Sequence, residues 1–389
     1  GEDPHLTGQI GAAYVRGLQG DLRDGVICTG KHFLGYGASE GGMNWAPAHV
    51  TRRELLEVYA APFETAIREG GLASIMNSYA EIDGVPVGGS KELLTDLLRG
   101  ELGFDGTVVS DYFTVSTLDT YHHIAGQRDE AAARALEAGI DVELPVLHYY
   151  RALPAALASG RLGMDMIDGA AIRVLRQKFQ LGLFEEPYVN ADAAPAAFDT
   201  AEHRALARRI AQRSIVLLRN DAGVGEACLL PLSKQIKVVA VVGPSAASVR
   251  LLQGDYHWPA HAEVMFGPIV EVGDRDEVTG APVMAGAIGS GAAPVDLAAT
   301  FVEHVTLLDG IRRAVAPSTQ VLHARGCGIT GADTRGFAQA VEAARKADVA
   351  VVCVGTRSGL VEGSTSGESS DRADLGLPAG GPVIVCASN

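Results

Sequence analysis

Between residues 25 and 144 the chain alternates short apolar runs with amphipathic stretches, and this rhythm narrows the available folds more than any other feature. The apolar runs are Gly25 to Phe33, Leu72 to Tyr79, Thr107 to Tyr112 and Ile140 to Leu144. Between them, Thr51 to Gly70, Ser90 to Arg99 and Gln127 to Ala138 carry apolar residues at helical spacing. Thr51 with Glu54, and Ser90 with Leu93, mark the starts of two of these helices. Strand and helix recurring at regular intervals predict parallel β/α units. A further helix is expected over Asp165 to Phe179, with Gly182 placed to cap its C-terminus.

Length then sets the number of units. The chain has 389 residues, 47% of them hydrophobic, enough for two domains with proper cores at ~150 residues each. From Tyr188 to Pro195 the sequence turns polar, Ala/Pro-rich and aperiodic. The expected division is a β/α domain over 1–187, a linker over 188–199 and a second domain over 200–389. In the second domain, Thr200 to Arg213 reads as a helix, and Ser214 to Leu218, Ile236 to Val242 and Val349 to Val354 as buried strands. Gly336 to Lys346 is a helix feeding the last strand, and Pro268 to Pro294, rich in Gly, Ala and Val, carries no element. A parallel array of about four strands leaves sheet edges open, whereas a closed eight-stranded barrel takes ~250 residues. Val383-Ile384-Val385-Cys386 opens one more strand, so both ends are expected to fall inside a domain.

A net charge of −15 and a pI near 5.2 argue against a polyanionic partner such as nucleic acid and favour a neutral or cationic small ligand. The five cysteines, Cys28, Cys228, Cys327, Cys353 and Cys386, are scattered without a C-x-x-C pair. They signal neither a disulfide framework nor a zinc site and are expected in cores. No stretch reaches the ~20 continuous apolar residues of a membrane span. Gly1-Glu2-Asp3-Pro4 carries no basic or apolar leader, so a targeting signal would lie outside this sequence.

In parallel β/α architectures chemistry collects at the carboxyl ends of the strands. Three runs end there in polar groups: Lys31-His32, Asn77-Ser78-Tyr79, and Ser110-Asp111-Tyr112. Each also has a plain reading. Asp111 could cap the following helix, Lys31 could be a solvated cation, His32 a satisfied core histidine and Tyr79 simple packing. Glu143, at the fourth strand end, could be catalytic or a structural partner of Arg134 or Lys31. In the second domain, Ser364 to Arg372 is a run of small polar residues around Glu368, a loop of the kind that carries functional groups. Val242-Gly243-Pro244-Ser245 lacks both the Lys-Ser/Thr ending and the G-x-G-x-x-G spacing, so nucleotide binding is discounted.

Together these motifs resemble glycoside hydrolase family 3. The matching pieces are Gly1-Glu2-Asp3-Pro4, Lys31-His32-Phe33 with Gly35-Tyr36-Gly37, Met76-Asn77-Ser78-Tyr79 followed by Ile82-Asp83-Gly84-Val85-Pro86, and Leu102-Gly103-Phe104-Asp105-Gly106 before Ser110-Asp111. Ala138-Gly139-Ile140-Asp141, Ser214 to Asn220, and Ser366-Gly367-Glu368 with Asp371-Arg372 and Leu377-Pro378 follow in the family's order. The resemblance implies an α/β chain, a partial (β/α)8 TIM-like barrel followed by an α/β sandwich domain. It implies a retaining exo-β-glycosidase acting on terminal β-glucose or β-xylose, with Asp111 as nucleophile and Glu368 as general acid/base. Lys31, His32, Met76, Tyr79 and Tyr112 would line the sugar site. Such an enzyme needs one ionised and one protonated carboxyl group about 5–5.5 Å apart and no metal or cofactor. Lys31 would favour the ionised nucleophile.

The chain also departs from the family. Gly41-Gly42-Met43 stands where many relatives carry an Arg after the glycines, and the sequence before Gly1 would hold an Asp and an Arg for the sugar. After Leu377-Pro378 the chain runs into Ala379-Gly380-Gly381-Pro382 in place of the usual helix. Two alternatives follow. One is the family's N-acetylglucosaminidase branch, whose His-Asp loop is replaced by Ala38-Ser39-Glu40. The other is an inactive carbohydrate-binding fragment. The expected partner is an oligosaccharide or an aryl β-glycoside.

Overall fold

A computed structural model describes residues 1–222, 228–254, 256–266, 303–330, 333–361, 363–368 and 372–378. The chain divides into two compact units, Gly1–Asn190 and Ala191–Asn389.

The first unit opens with helix α1, Pro4–Gln19. Asp3 Oδ1 accepts the N–H groups of His5 (2.8 Å) and Leu6 (3.1 Å), and Pro4 takes a position whose N–H would have no partner in the helix. Gly8 lets α1 approach the helix Ala61–Arg68, because a Cβ there would lie 2.9 Å from Thr65. Buried Gln19 donates to Gly71 O and accepts from the N–H groups of Cys28 and Ala73, fixing the entries to two strands.

Those strands, β1 (Thr29–Phe33) and β2 (Ser74–Asn77), form a parallel sheet with β3 (Thr107–Val109) in the order β1-β2-β3. The fourth apolar run is clipped. Val142 makes one parallel bridge to Val109, flanked by hydrogen bonds from Asp141 N to Val108 O and from Ser110 N to Val142 O, both 2.8 Å. Beyond Val142 the backbone turns to other partners: Leu144 N–H donates to Ser110 Oγ (2.8 Å), and Pro145 has no N–H to give.

The expected helix starts are present. Thr51 Oγ1 accepts from Glu54 N ahead of Arg52–Glu54, which winds through the π-type turn Leu55–Ala60 into Ala61–Arg68. Ser90 Oγ accepts from Leu93 N at the start of Glu92–Glu101. Arg128–Ala138 and Met164–Gln180 follow, with Gly182 at φ 70 beyond the latter. Phe33, Ile75, Leu94, Leu98, Val108 and Ile140 are sealed between sheet and helices. Beneath β3, the fully buried Asp141 carboxylate binds Arg99 (2.8 Å), Arg173 (2.7 Å) and Val108 N–H (2.8 Å).

In the second unit β4 (Val238–Val242), β5 (Gln320–Ala324) and β6 (Val349–Val352) form a parallel sheet in the order β5-β4-β6. The two-residue period of a strand sends Val239 and Val241 to one face, against Leu308 and Ile311 of helix Leu307–Ala314. It sends Ala240 and Val242 to the other, against Ala340 and Ala343 of helix Phe337–Arg345. The sheet is thus covered on both faces by helices.

The structure corrects several expectations here. Ser214 ends the helix Ala201–Ser214, and Ile215 to Leu218 are exposed coil rather than a buried strand. An apolar run becomes a strand only beside one that offers backbone hydrogen bonds, and among the described residues none pairs with it. Strand β5 was not anticipated, since its Gln and His disguise a short apolar run. Residues 191–197 are exposed but form two short helical turns, Ala191–Ala193 and Ala194–Ala197. Cys353 is buried, Cys28 and Cys327 are partly so, and Cys228 is exposed, against the expectation that all are core residues. Cys386, Pro268 to Pro294 and Val383 to Cys386 lie outside the described residues.

Candidate active site

The carboxyl ends of β1, β2 and β3 bring together part of the expected set. Asp111, two residues past β3, is only 7% exposed. Its backbone N–H donates to Asn77 Oδ1 (3.2 Å), its Oδ1 accepts from Tyr112 N (2.7 Å), and His32 Nε2 lies 3.4 Å from its Oδ2. Tyr112 N–H thus holds one carboxyl oxygen and the His32 imidazole stands beside the other, at a group largely shielded from solvent.

The helix-cap alternative for Asp111 is ruled out. The following helix, Thr114–Thr120, has Phe113 at its N-cap in a left-handed conformation (φ 66), with no side-chain cap. The Asp111 carboxylate is turned away from that role by its bond to Tyr112 N–H.

Asn77, fully buried, sets this geometry. Its Nδ2 donates to Ser78 O (2.7 Å), leaving Oδ1 aimed at Asp111 N. Gly88 makes room, since a Cβ there would meet Thr114 Cγ2 at 2.3 Å and Asn77 Nδ2 at 3.5 Å. The Tyr79 hydroxyl donates to Tyr112 O (2.7 Å), tying the ends of β2 and β3 together. That is more than simple packing. Tyr112 is half exposed, and Met76 is half-buried in β2 opposite Val109. His32 is stacked by Tyr36 (centroids 4.6 Å apart), whose hydroxyl donates to Asn44 Oδ1 (2.6 Å).

Lys31 is exposed and lines a groove of 890 Å³ between α1 and β1, which His32 and Tyr36 also reach. Asp111 is not among the groove's lining residues, so the groove is a neighbour of the carboxylate and not its pocket. Glu143 is not catalytic in form. Its oxygens accept the N–H groups of His148, Tyr149 and Tyr150, while Arg134 pairs with Glu130. Met43 is half exposed, after Gly41 and Gly42, which both have positive φ.

In the second unit Glu368 lies in the loop after β6. Its Oε2 accepts a hydrogen bond from the Tyr256 hydroxyl at 2.8 Å. The contacts made by Asn77, Tyr36 and Tyr256 were not expected from the sequence. Asn77 and Tyr36 stood inside quoted motifs, whereas Tyr256 carried no local signal. No cluster of His, Cys, Asp and Glu among the described residues is arranged to hold a metal ion.

A buried, hydrogen-bonded carboxylate at the carboxyl ends of a parallel sheet stands where β/α architectures place their active sites. Residues 1–177 match the glycosyl hydrolase family 3 N terminal domain, and residues 215–387 match the glycosyl hydrolase family 3 C-terminal domain. A beta-xylosidase of Formosa agariphila is 34% identical over the whole of this chain and 51% of its own length. A periplasmic beta-glucosidase of Salmonella typhimurium is 30% identical over 97% of this chain and 46% of its own. Among solved structures, a β-glucosidase from Erythrobacter marinus superposes with a TM-score of 0.77 at 34% identity, covering 97% of this chain and 48% of that one. A beta-glucosidase from Listeria innocua in complex with gluconolactone gives 0.76 at 29% identity, covering 97% and 45%. The chain belongs to glycosyl hydrolase family 3. Its fold is accordingly part of a (β/α)8 barrel followed by an α/β sandwich. The chain spans about half the length of the curated relatives it matches.

Proposed function

We propose that the protein is a retaining exo-β-glycosidase that removes terminal non-reducing β-D-glucosyl or β-D-xylosyl residues, with Asp111 as nucleophile and Glu368 as general acid/base. Residues 1–187 would supply the barrel site and residues 200–389, joined through 188–199, the loop that carries Glu368. The observation that carries this reading is the setting of Asp111: buried, held by Asn77 through its backbone and contacted by His32 at 3.4 Å. The names of relatives, beta-xylosidase and beta-glucosidase, support the substrate class.

In the first step Glu368 donates its proton to the glycosidic oxygen while the Asp111 carboxylate attacks the anomeric carbon. The aglycone leaves and a glycosyl ester forms on Asp111. In the second, Glu368 as carboxylate takes a proton from water, the water oxygen attacks the anomeric carbon, and Asp111 is released. Two inversions give retention. Lys31, His32, Met76, Tyr79 and Tyr112 are proposed to line the sugar site, where hydrogen bonds to hydroxyls strengthen as positive charge develops on the ring.

Azide rescue tests the assignment in the protein expressed from its complete reading frame. With a nitrophenyl β-glycoside, Asp111→Ala is expected to yield an α-glycosyl azide and Glu368→Ala a β-glycosyl azide. The same anomer from both variants refutes the two roles.

A further inference from the structure

We propose that Tyr256 is a positioning residue for Glu368, and that the segment from Tyr256 to Glu263 clamps the Glu368 loop at its tip and at its root. The proposal rests on the reading of Glu368 as the acid/base. Tyr256 lies two residues before the helix Trp258–Phe266, and Glu263 lies within it. The Tyr256 hydroxyl donates to Glu368 Oε2 at 2.8 Å. Glu263 is 1% exposed, and two cations hold its carboxylate: Arg250, whose Nη2 lies 2.8 Å from Oε2 and whose Nε reaches both oxygens at 3.1 Å, and Arg357, whose Nη2 lies 2.7 Å from Oε1.

Both cations lead to the loop. Arg357 begins it, and Arg250 Nη2 also donates to Ser358 O at 2.8 Å. From there the loop folds on itself. Thr365 N donates to Arg357 O (2.7 Å), Gly359 N to Ser366 O (3.1 Å), and Arg357 N to Thr365 Oγ1 (2.8 Å). Gly359 permits the close approach, since a Cβ there would lie 2.8 Å from Arg250 Nη2 and 2.4 Å from Ser364 Oγ. Glu368 follows two residues after Ser366.

The arrangement answers a physical problem. An acid/base on a loop must present one oxygen to the substrate, yet a glutamate side chain has three free torsions and its loop many more. The buried ion cluster fixes the root, because a charge in that setting is held only while its partners stay in place. The phenol removes freedom at the tip by holding one carboxyl oxygen. The gain is in orientation, the part of acid catalysis that geometry supplies.

The test is leaving-group dependence, which a merely structural residue would not alter. Acid assistance matters most when the departing alcohol is a poor leaving group, and kcat/KM reports the steps through bond cleavage. In the protein expressed from its complete reading frame, Tyr256→Phe is expected to steepen the fall of kcat/KM with leaving-group pKa across aryl β-glucosides and β-xylosides. The phenyl glycoside should lose about tenfold more than the dinitrophenyl one, part of the hundredfold or more that acid catalysis supplies. Loss by one common factor at every leaving group, or no loss, overturns the proposal.

Hydrogen exchange provides a second readout, independent of turnover. Glu263→Gln is expected to speed exchange at Gly359 and Thr365 by about tenfold, as local opening of the loop becomes easier. Unchanged exchange overturns the root of the clamp. A wild-type protein inert towards the whole substrate series refutes the glycosidase reading and the proposal with it. That result is distinct from an active wild type whose Tyr256→Phe slope is unchanged, which refutes the proposal alone.

Discussion

Replacing Asp141 by alanine tests how the first unit holds the strand that leads to Asp111. The Asp141 carboxylate has no exposed surface and accepts from Arg99 (2.8 Å), Arg173 (2.7 Å) and Val108 N–H (2.8 Å). Removing one partner of a buried ion pair costs about 3–5 kcal/mol, because the remaining charge is stranded. Two features hold the cost near the lower end. Arg99 keeps Gly106 O (2.9 Å) and Gly139 O (3.2 Å), and the Arg173 side chain is 26% exposed and can reach water. The expected loss is about 3 kcal/mol, or a fall in Tm of about 6–12 °C for a unit of this size.

Asp141→Asn keeps an acceptor for Val108 N–H but loses the charge, and should cost about 1–2 kcal/mol. Trp45 lies in the first unit and Trp258 in the second, so fluorescence in a Trp258→Phe background reports on the first alone. An Asp141→Ala protein within about 1 kcal/mol of its parent refutes this account of the buried charge, as does an Asn variant as costly as the Ala one.

Three further outcomes follow from the same geometry. Glu143→Gln weakens the grip on the N–H groups of His148, Tyr149 and Tyr150 and should cost about 1–3 kcal/mol, read as faster proteolysis near Leu147. Thr306 closes a capping box with Asp309 at the start of Leu307–Ala314, so Thr306→Ala should cost about 1 kcal/mol in urea unfolding while Thr306→Ser stays near wild type. Burial pushes the His122 imidazole below its usual range, an effect that Glu81 offsets only in part. Its neutral form is therefore favoured in the fold. Stability is full above about pH 6.5 and declines as the unfolded chain takes up the proton below it. His122→Gln should flatten that decline in a pH series of thermal melts.

Strands β3, β4 and β6 were legible in the sequence because each holds consecutive β-branched or small apolar residues, and helices of the first unit begin at Thr51 and Ser90, whose side chains do cap them. It misjudged runs whose fate depends on neighbours. Ile140 to Leu144 was clipped to one bridge, and Ile215 to Leu218 found no partner strand among the described residues. Strand β5 forms because β4 offers a free edge, which its own residues do not announce.

The site shows the same contrast. Asp111 and His32 were visible as polar groups at strand ends, and the structure puts them in contact. Asn77 holds the N–H of a residue 34 positions on, and Tyr256 meets Glu368 across 112 positions. Such pairings exist only once the chain has folded. Glu143 was ambiguous in sequence because a carboxylate at a strand end suits catalysis and loop anchoring alike, and only its three backbone donors decide the matter.

The central claim is that Asp111 becomes covalently attached to the sugar, and trapping the intermediate tests it most directly. A dinitrophenyl 2-deoxy-2-fluoro-β-glycoside combines a leaving group good enough to form the ester with a fluorine that slows its hydrolysis, by destabilising the positive charge of both transition states. Peptide mapping by mass spectrometry of the inactivated protein, expressed from its complete reading frame, is expected to place the sugar on Asp111. A sugar found on any other carboxylate contradicts the account.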